Sequence, residues 1–300
     1  MRIPARLNML LLMAASAASS ALLWLASHAS GLWLRGLAAL AFSFTANTLF
    51  SLLHESVHGL LLPDATWNRR MGRVAAAFFP TSLTLQRGFH LTHHRNNRSP
   101  QERFDYIESG DIAWAKRLHW YGILTGLYWV VTQLGLLAYL VAPIVLRIPV
   151  LRHVSSRLAR QSSSRAYLQV FDRVDGSLVR LELLGSLALQ ALLWRALQLN
   201  FAGWAICYAA FAIHWSGLQY ADHAWSPLDP QEGAWNLRTN PLSRLLFLNY
   251  FHHLAHHRHP DTPWLYLGRH VDPHEHRPSF LRVWLSMWRG PRRRLAYPPA

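Results

Sequence analysis

Three groups of histidines stand at spacings that bring imidazole rings onto one face of a helix: His54 and His58; His90, His93 and His94; and His253, His256 and His257. Residues three and four apart on a helix are neighbours, about 5–6 Å apart at Cβ, close enough to share a metal centre. The first group, His54-Glu-Ser-Val-His58, matches in full the His-Glu-x-x-His pattern of zinc peptidases, with Glu55 beside the first ligand. Two histidines four apart also occur on many helices that bind no metal. The second and third groups are more specific, because His90-Leu-Thr-His93-His94 and His253-Leu-Ala-His256-His257 repeat one spacing, His-x-x-His-His. A zinc peptidase needs three protein ligands and one open position, not eight histidines. The number of imidazoles therefore favours two metal ions. Neutral imidazole suits iron, copper, nickel and zinc alike, so the ligand type alone does not name the metal.

The elements that must position these groups are apolar. Of 300 residues about half are apolar and 15% are Asp, Glu, Lys or Arg, against about 25% in an average soluble domain. The apolar residues are bunched into charge-free runs too long for soluble core helices, which points to a bilayer. The net charge of +15 invites a nucleic-acid reading, but the arginines flank the apolar runs. That is the signature of loops held on the cytoplasmic side and attracted to anionic headgroups, and nucleic-acid binding is set aside. The single cysteine, Cys207, excludes an intramolecular disulfide and any multi-cysteine metal site. Histidine, present 18 times, must do most of any metal binding.

Leu7 to Leu34 and Gly36 to Leu53 read as a transmembrane hairpin. A signal peptide competes, with Arg2 and Arg6 before the run and small residues near Ala29 and Ser30, but the run exceeds the usual ~7–15 residues and a second follows at once. Residues 54 to 117 are polar and carry the first two histidine groups. Leu118 to Leu146 is mostly apolar, is interrupted by Gly122, Gly126, Gly135 and Pro143, and has basic residues at both ends. Residues 147 to 180 read as an interfacial loop with a short amphipathic helix. Leu183 to Trp194 and Ala196 to Ala221 form a second apolar pair. The tail around Phe280, Val283, Trp284, Leu285 and Trp288 is expected at the interface. No internal repeat or long linker divides the chain, so residues 1–300 are expected to form one membrane domain, an all-α bundle with a histidine-rich cap.

Parity sharpens this. If every histidine group meets at one site, an even number of crossings separates His94 from His253. With positive charge at both its ends, Leu118 to Leu146 enters and returns, or lies shallow, and the later pair makes a true hairpin. Four crossings follow, with both termini and the histidine groups on the cytoplasmic side.

The order His-x-x-x-His, His-x-x-His-His and His-x-x-His-His, with the third group far downstream beyond a hydrophobic hairpin, resembles the membrane fatty acid desaturase superfamily from about His54 to Leu267. The stretch Asn249-Tyr-Phe-His-His253-Leu-Ala-His256-His257-Arg-His-Pro260, followed by Pro263-Trp264, is similar to that family's third-box region. Within that superfamily, His54-Glu-Ser-Val-His58-Gly59 and the Pro-Trp pair resemble carotenoid ketolases as well as bacterial acyl desaturases. The resemblance implies a di-iron centre held by His54, His58, His90, His93, His94, His253, His256 and His257. It implies a further ligand from the end of the preceding hairpin, for which His223 is the candidate ahead of His214. Asn249 is a candidate to hold a metal-bound water, against an ordinary capping role. His252 falls outside the box spacing and is placed beside the ligands, while His259, His270, His274 and His276 are read as solvated.

The implied chemistry is dioxygen-dependent attack on an unactivated C–H bond of a lipid or acyl substrate, with the protein supplying ligand geometry and a dry slot. Glu55 and Asp222 are candidates to orient ligand rings, or are surface charges. No haem- or flavin-binding segment is apparent, so electrons are expected from a separate, ferredoxin-like donor, and the basic loops would receive an acidic one. Acyl desaturation leads. Hydroxylation or ketolation of a lipid or carotenoid is the alternative, and a metal transporter a distant third, since a transporter would place its histidines at mid-membrane.

Overall fold

The computed structural model describes residues 1–100, 102–144, 148 and 164–294. Four helices are long and apolar enough to cross a bilayer: α1 (Ala5–His28), α2 (Leu32–His58), and, further along the chain, Gly176–Ala196 and Phe201–Ala221. At 24, 27, 21 and 21 residues each meets the ~20 residues that a hydrocarbon core requires. Leu10, Met13 and Trp24 on α1, and Leu184 and Leu192 on Gly176–Ala196, face outward. That apolar girdle suits lipid and not water. The protein is an all-α integral membrane bundle.

Between the hairpins lie α3 (Ala65–Phe78), α4 (Leu83–Asn96), α5 (Ala113–Leu124), α6 (Leu127–Val141) and α7 (Ser164–Arg173). The membrane hairpin Gly176–Ala196 and Phe201–Ala221 supplies α8 and α9, and α10 (Pro241–Leu246), α11 (His253–Arg258) and α12 (Phe280–Met287) complete the cap. The starts are written locally. Asp64 accepts from Thr66 and Trp67 amides to begin α3, Ser82 from Leu85 to begin α4, Asp175 from Ser177 and Leu178 to begin α8, and Asn200 from Gly203 to begin α9.

Lipid tails are as apolar as leucine, so helix pairing in a bilayer needs close approach and polar contacts. Here Ser19 donates to Thr45 at 2.8 Å between α1 and α2. A Cβ on Gly203 would lie 2.5 Å from Ser27 backbone, so glycine lets α9 touch α1. Glu182 of α8, buried, accepts from Arg73 Nε at 2.7 Å, the Ser82 hydroxyl at 2.6 Å and the Thr84 amide at 2.9 Å. Those three donors meet the cost of a buried carboxylate.

The stretch expected to enter and return is bent: α5 and α6 meet at 92°. Gly126 forms the corner at φ +79°, and a Cβ there would fall 2.7 Å from the Ile213 amide nitrogen of α9. Both conformation and space require glycine. Of the expected interfacial loop, α7 is seen and is amphipathic, while residues 145–147 and 149–163 lie outside the described residues. The tail helix α12 is more integrated than an interfacial segment. Val283 and Met287 are buried, Trp120 Nε1 donates to the Met287 carbonyl at 2.7 Å, and strand β2 (Arg292–Arg293) pairs in parallel with β1 (Tyr106–Ile107).

The ends of the helices sort into two levels. Asn8, near the start of α1, is tied to the Leu61 carbonyl at 2.9 Å and to Trp264 Nε1 at 2.9 Å, so the N-terminus lies beside the end of α2 and the third histidine group. The opposite end of the bundle is closed where Asn200 donates to the Ser27 carbonyl.

Candidate metal centre

His54 and His58 occupy the last turns of α2, which Gly59 ends in a left-handed conformation at φ +81°. His90, His93 and His94 lie on the second half of α4, and His253, His256 and His257 on the short α11. His223 follows directly on the end of α9. The fold thus brings the three groups and His223 to one end of the bundle. Their imidazoles form two clusters of four, His54, His58, His90 and His256 in one and His93, His223, His253 and His257 in the other, with the nitrogens of each cluster within 4.8 Å of one another. His94 stands between them, its ring centroid 4.9 Å from that of His256 and 4.5 Å from that of His257.

In the first cluster the Nε2 atoms converge: His58 to His90 at 2.7 Å, His90 to His94 at 2.9 Å, and His94 to His256 at 3.0 Å. Nitrogens about 2 Å from a shared ion stand roughly 3 Å apart. In the second cluster the Nδ1 atoms face outward. His223 Nδ1 meets the Gly233 carbonyl at 2.8 Å, His93 Nδ1 the Glu102 carboxylate at 2.6 Å, and His253 Nδ1 lies 3.4 Å from Asp222. That leaves their Nε2 atoms as the nitrogens available to a shared ion. The buried Nε2 atoms of His54 and His257 find no hydrogen-bond partner among the described residues. Orphaned, converging nitrogens are what a metal ion would satisfy, so the donor set fits two histidine-held cations.

Burial, and next to it the neighbouring imidazoles, hold His90, His94, His223, His253, His256 and His257 below the ordinary histidine range. They are neutral at pH 7, the form that binds metal.

The other singled-out residues separate. His214 is away from both clusters, 3.0 Å from the Ser43 hydroxyl and beside Phe44 and Phe247. Asn249 donates to the Trp264 carbonyl at 3.1 Å, a loop tether and not a reach toward the imidazoles. Glu55 accepts from the Trp264 amide at 3.2 Å and stays 4.0 Å from His54 Nδ1. His252 is buried behind the third group near Gly268. His259 and His270 stack on each other at 4.1 Å, outside the clusters.

Two residues that sequence reasoning passed over touch the clusters, and a third holds one of those two. Glu102 faces His93, Asn97 Nδ2 is 3.5 Å from His257 Nδ1, and Tyr167 donates to Glu102. Nothing in their spacing marks them.

A cavity of about 510 Å³ opens on the clusters at His90, His93 and His223 and runs between α4, α6, α7 and α9 past Phe89, Val131, Leu136, Phe171 and Trp215. Its size lies within the range of small-ligand sites, about 300–1,000 Å³. An apolar slot that reaches the imidazoles could bring a hydrocarbon against whatever they hold.

Among known families, the model described as fatty acid desaturase matches residues 30–290. No curated protein matches the chain.

Proposed function

Because the chain belongs to the fatty acid desaturase family, we propose that its two histidine clusters hold two iron ions and that it removes hydrogen from an acyl chain seated in the apolar cavity. The ligands are His54, His58, His90 and His256 on one side, His93, His223, His253 and His257 on the other, and His94 between them. The observation that carries this reading is the meeting of the cavity with the clusters at His90, His93 and His223. When bound and reduced, the iron pair supplies activation of dioxygen for attack on an unactivated C–H bond.

The residues of the chain do the rest. The aliphatic and aromatic walls from α6 and α7 strip water from the hydrocarbon and hold it in one register. The Nδ1 contacts of His93, His223 and His253 fix ring orientation and leave Nε2 for the metals. Making a double bond while reducing dioxygen to two waters consumes two electrons and two protons beyond the substrate's two hydrogens. Inserting one oxygen atom consumes the same electrons and protons and releases one water. A separate electron-transfer protein, ferredoxin-like or similar, supplies the electrons in either case.

Isotopically labelled dioxygen supplied to membranes with a reductant separates the reactions. The expected result is a desaturated acyl chain without label, the label appearing in water. Label in a hydroxyl or keto group would replace desaturation by hydroxylation or ketolation on the same site.

Orientation follows from charge. At the end of the bundle remote from the histidines the loops carry no Lys or Arg and the adjoining helix ends only Arg35 and Arg195, so the histidine end, with both termini, faces the cytoplasm. In a Cys207→Ala background, single cysteines at Arg69 and Gln231 should react with an impermeant reagent only from the cytoplasmic side, and one at Ser30 only from the other. All three positions are exposed. Reversed labelling would invert the orientation.

A further inference from the structure

We propose that Glu102 is a positioning residue that fixes the ring of His93 and, through Tyr167, anchors that ring to the wall of the cavity. The inference rests on the reading that His93 is a metal ligand. His93 differs from its neighbours on α4: His90 and His94 turn their Nε2 atoms to His58 and His256, whereas His93 belongs to the other cluster, with His223, His253 and His257. One helix therefore serves both clusters, and something must hold the third ring apart from the other two. Behind it stands Glu102, buried, in the loop that follows α4.

The two oxygens of Glu102 have different tasks. Oε2 accepts from His93 Nδ1 at 2.6 Å and Oε1 accepts from the Tyr167 hydroxyl at 2.9 Å. A carboxylate has no proton to give, so His93 carries its proton on Nδ1, and Nε2 is the nitrogen left to face the cluster. A carboxylate behind a ligating histidine sets the tautomer, holds the ring plane and raises the basicity of the ligand. Tyr167 lies on α7, the helix that also lends Leu168 and Phe171 to the cavity wall. That helix is seated on α4 at Gly88, where a Cβ would fall 2.4 Å from Val170 Cγ1, and Phe89 meets the rings of Tyr167 and Phe171 at 5.6 and 5.5 Å. The wall against which substrate packs and the ring of a metal ligand are thus joined through one carboxylate.

The test uses the full-length protein in detergent, loaded anaerobically with iron-57, and reads iron affinity by competition with a chelator, the Mössbauer spectrum, and Tm. Glu102→Ala should weaken one of the two irons about 10- to 100-fold, the usual effect of losing such a partner, and shift the spectrum of that iron alone. Glu102→Gln, whose amide oxygen still accepts from Nδ1, should restore most of the affinity. Tyr167→Phe should change the spectrum of the same iron with Tm unmoved. Wild-type affinity and spectrum in Glu102→Ala, or equal loss of both irons with a lowered Tm in the Ala and Gln variants, would overturn the proposal. If Glu102→Ala does not fold, an unchanged spectrum in Tyr167→Phe overturns it. His93→Ala retaining both irons would instead sink the metal reading itself, and Glu102 with it.

Discussion

Replacing His93 or His256 by alanine should abolish turnover and release iron while the protein still reaches the membrane. The two residues sample different clusters, so on the proposed assignment each variant removes a ligand from a different ion. Loss of an outer partner of a ligand already costs about 10- to 100-fold, and loss of the ligand itself should leave less than about a hundredth of the activity. Insertion depends on the four apolar helices, and both histidines lie beyond the membrane-spanning segments. His214→Ala is the matched control. It removes a partly buried imidazole that contacts Ser43 and touches neither cluster, and it should keep its iron and its product. Iron per chain, membrane content and product yield decide the matter together. Full iron and activity in His93→Ala or His256→Ala would remove the assigned centre, and stoichiometric zinc with hydrolytic activity would turn the reading to a peptidase.

The largest effect on stability is expected at Asp105. Its carboxylate receives both arms of Arg98, at 3.0 and 2.8 Å, the Tyr220 hydroxyl at 2.8 Å and the Trp225 amide at 2.7 Å. Arg98 and Asp105 are 1% and 0% exposed at the side chain. Removing one partner strands the other charge without water, which costs about 3–5 kcal/mol. Asp105→Ala leaves the guanidinium of Arg98 without a carboxylate, held only by the Tyr220 hydroxyl and the Ser226 carbonyl, and takes the acceptor from the Trp225 amide. The same network pins the loop after α4 against the end of α9, two residues before Asp222, so iron affinity should fall with Tm. The exposed pair of Arg258 with Glu232 gives the scale for comparison, since such pairs contribute about 0.2–1 kcal/mol. Melting in detergent should therefore place Asp105→Ala far below Arg258→Ala. If the two melt together, the buried network is not what holds the cap.

Much of this was legible because it depends on period and charge. The apolar runs beginning at Leu7 and Gly36, and again at Leu183 and Ala196, gave the two hairpins, since a bilayer admits few alternatives to a helix of that length. The repeated spacing of His90, His93 and His94 with His253, His256 and His257 marked one face of two helices, and the fold brings these faces together. The basic ends of Leu118 to Leu146 marked it as a segment unlike the straight spans, and the fold bends it by 92°, although only the contact of Gly126 with α9 explains where it breaks. Glu102, Tyr167 and the pairing of Arg98 with Asp105 left no local signature. Their meaning lies in which atoms tertiary packing brings within 3 Å, and single charged or aromatic residues in a polar stretch carry no period from which that could be read. The division of α4 between two clusters was equally hidden, because helical spacing puts His90, His93 and His94 on one face without saying that His93 turns away.

The distance along the chain between the second and third histidine groups also sets an order of events during synthesis. His94 and His256 meet across 162 positions, and at ribosomal speeds of about 5–20 residues per second that gap takes roughly 8 to 32 s to translate. For that interval the nascent chain displays the imidazoles of α2 and α4 without the partners that complete either cluster. Each cluster takes a member from α11, so neither is complete before that helix has emerged and docked. A chain cut short by a nonsense codon after α9 would keep its four apolar helices yet lack the third histidine group, so neither cluster could form in full.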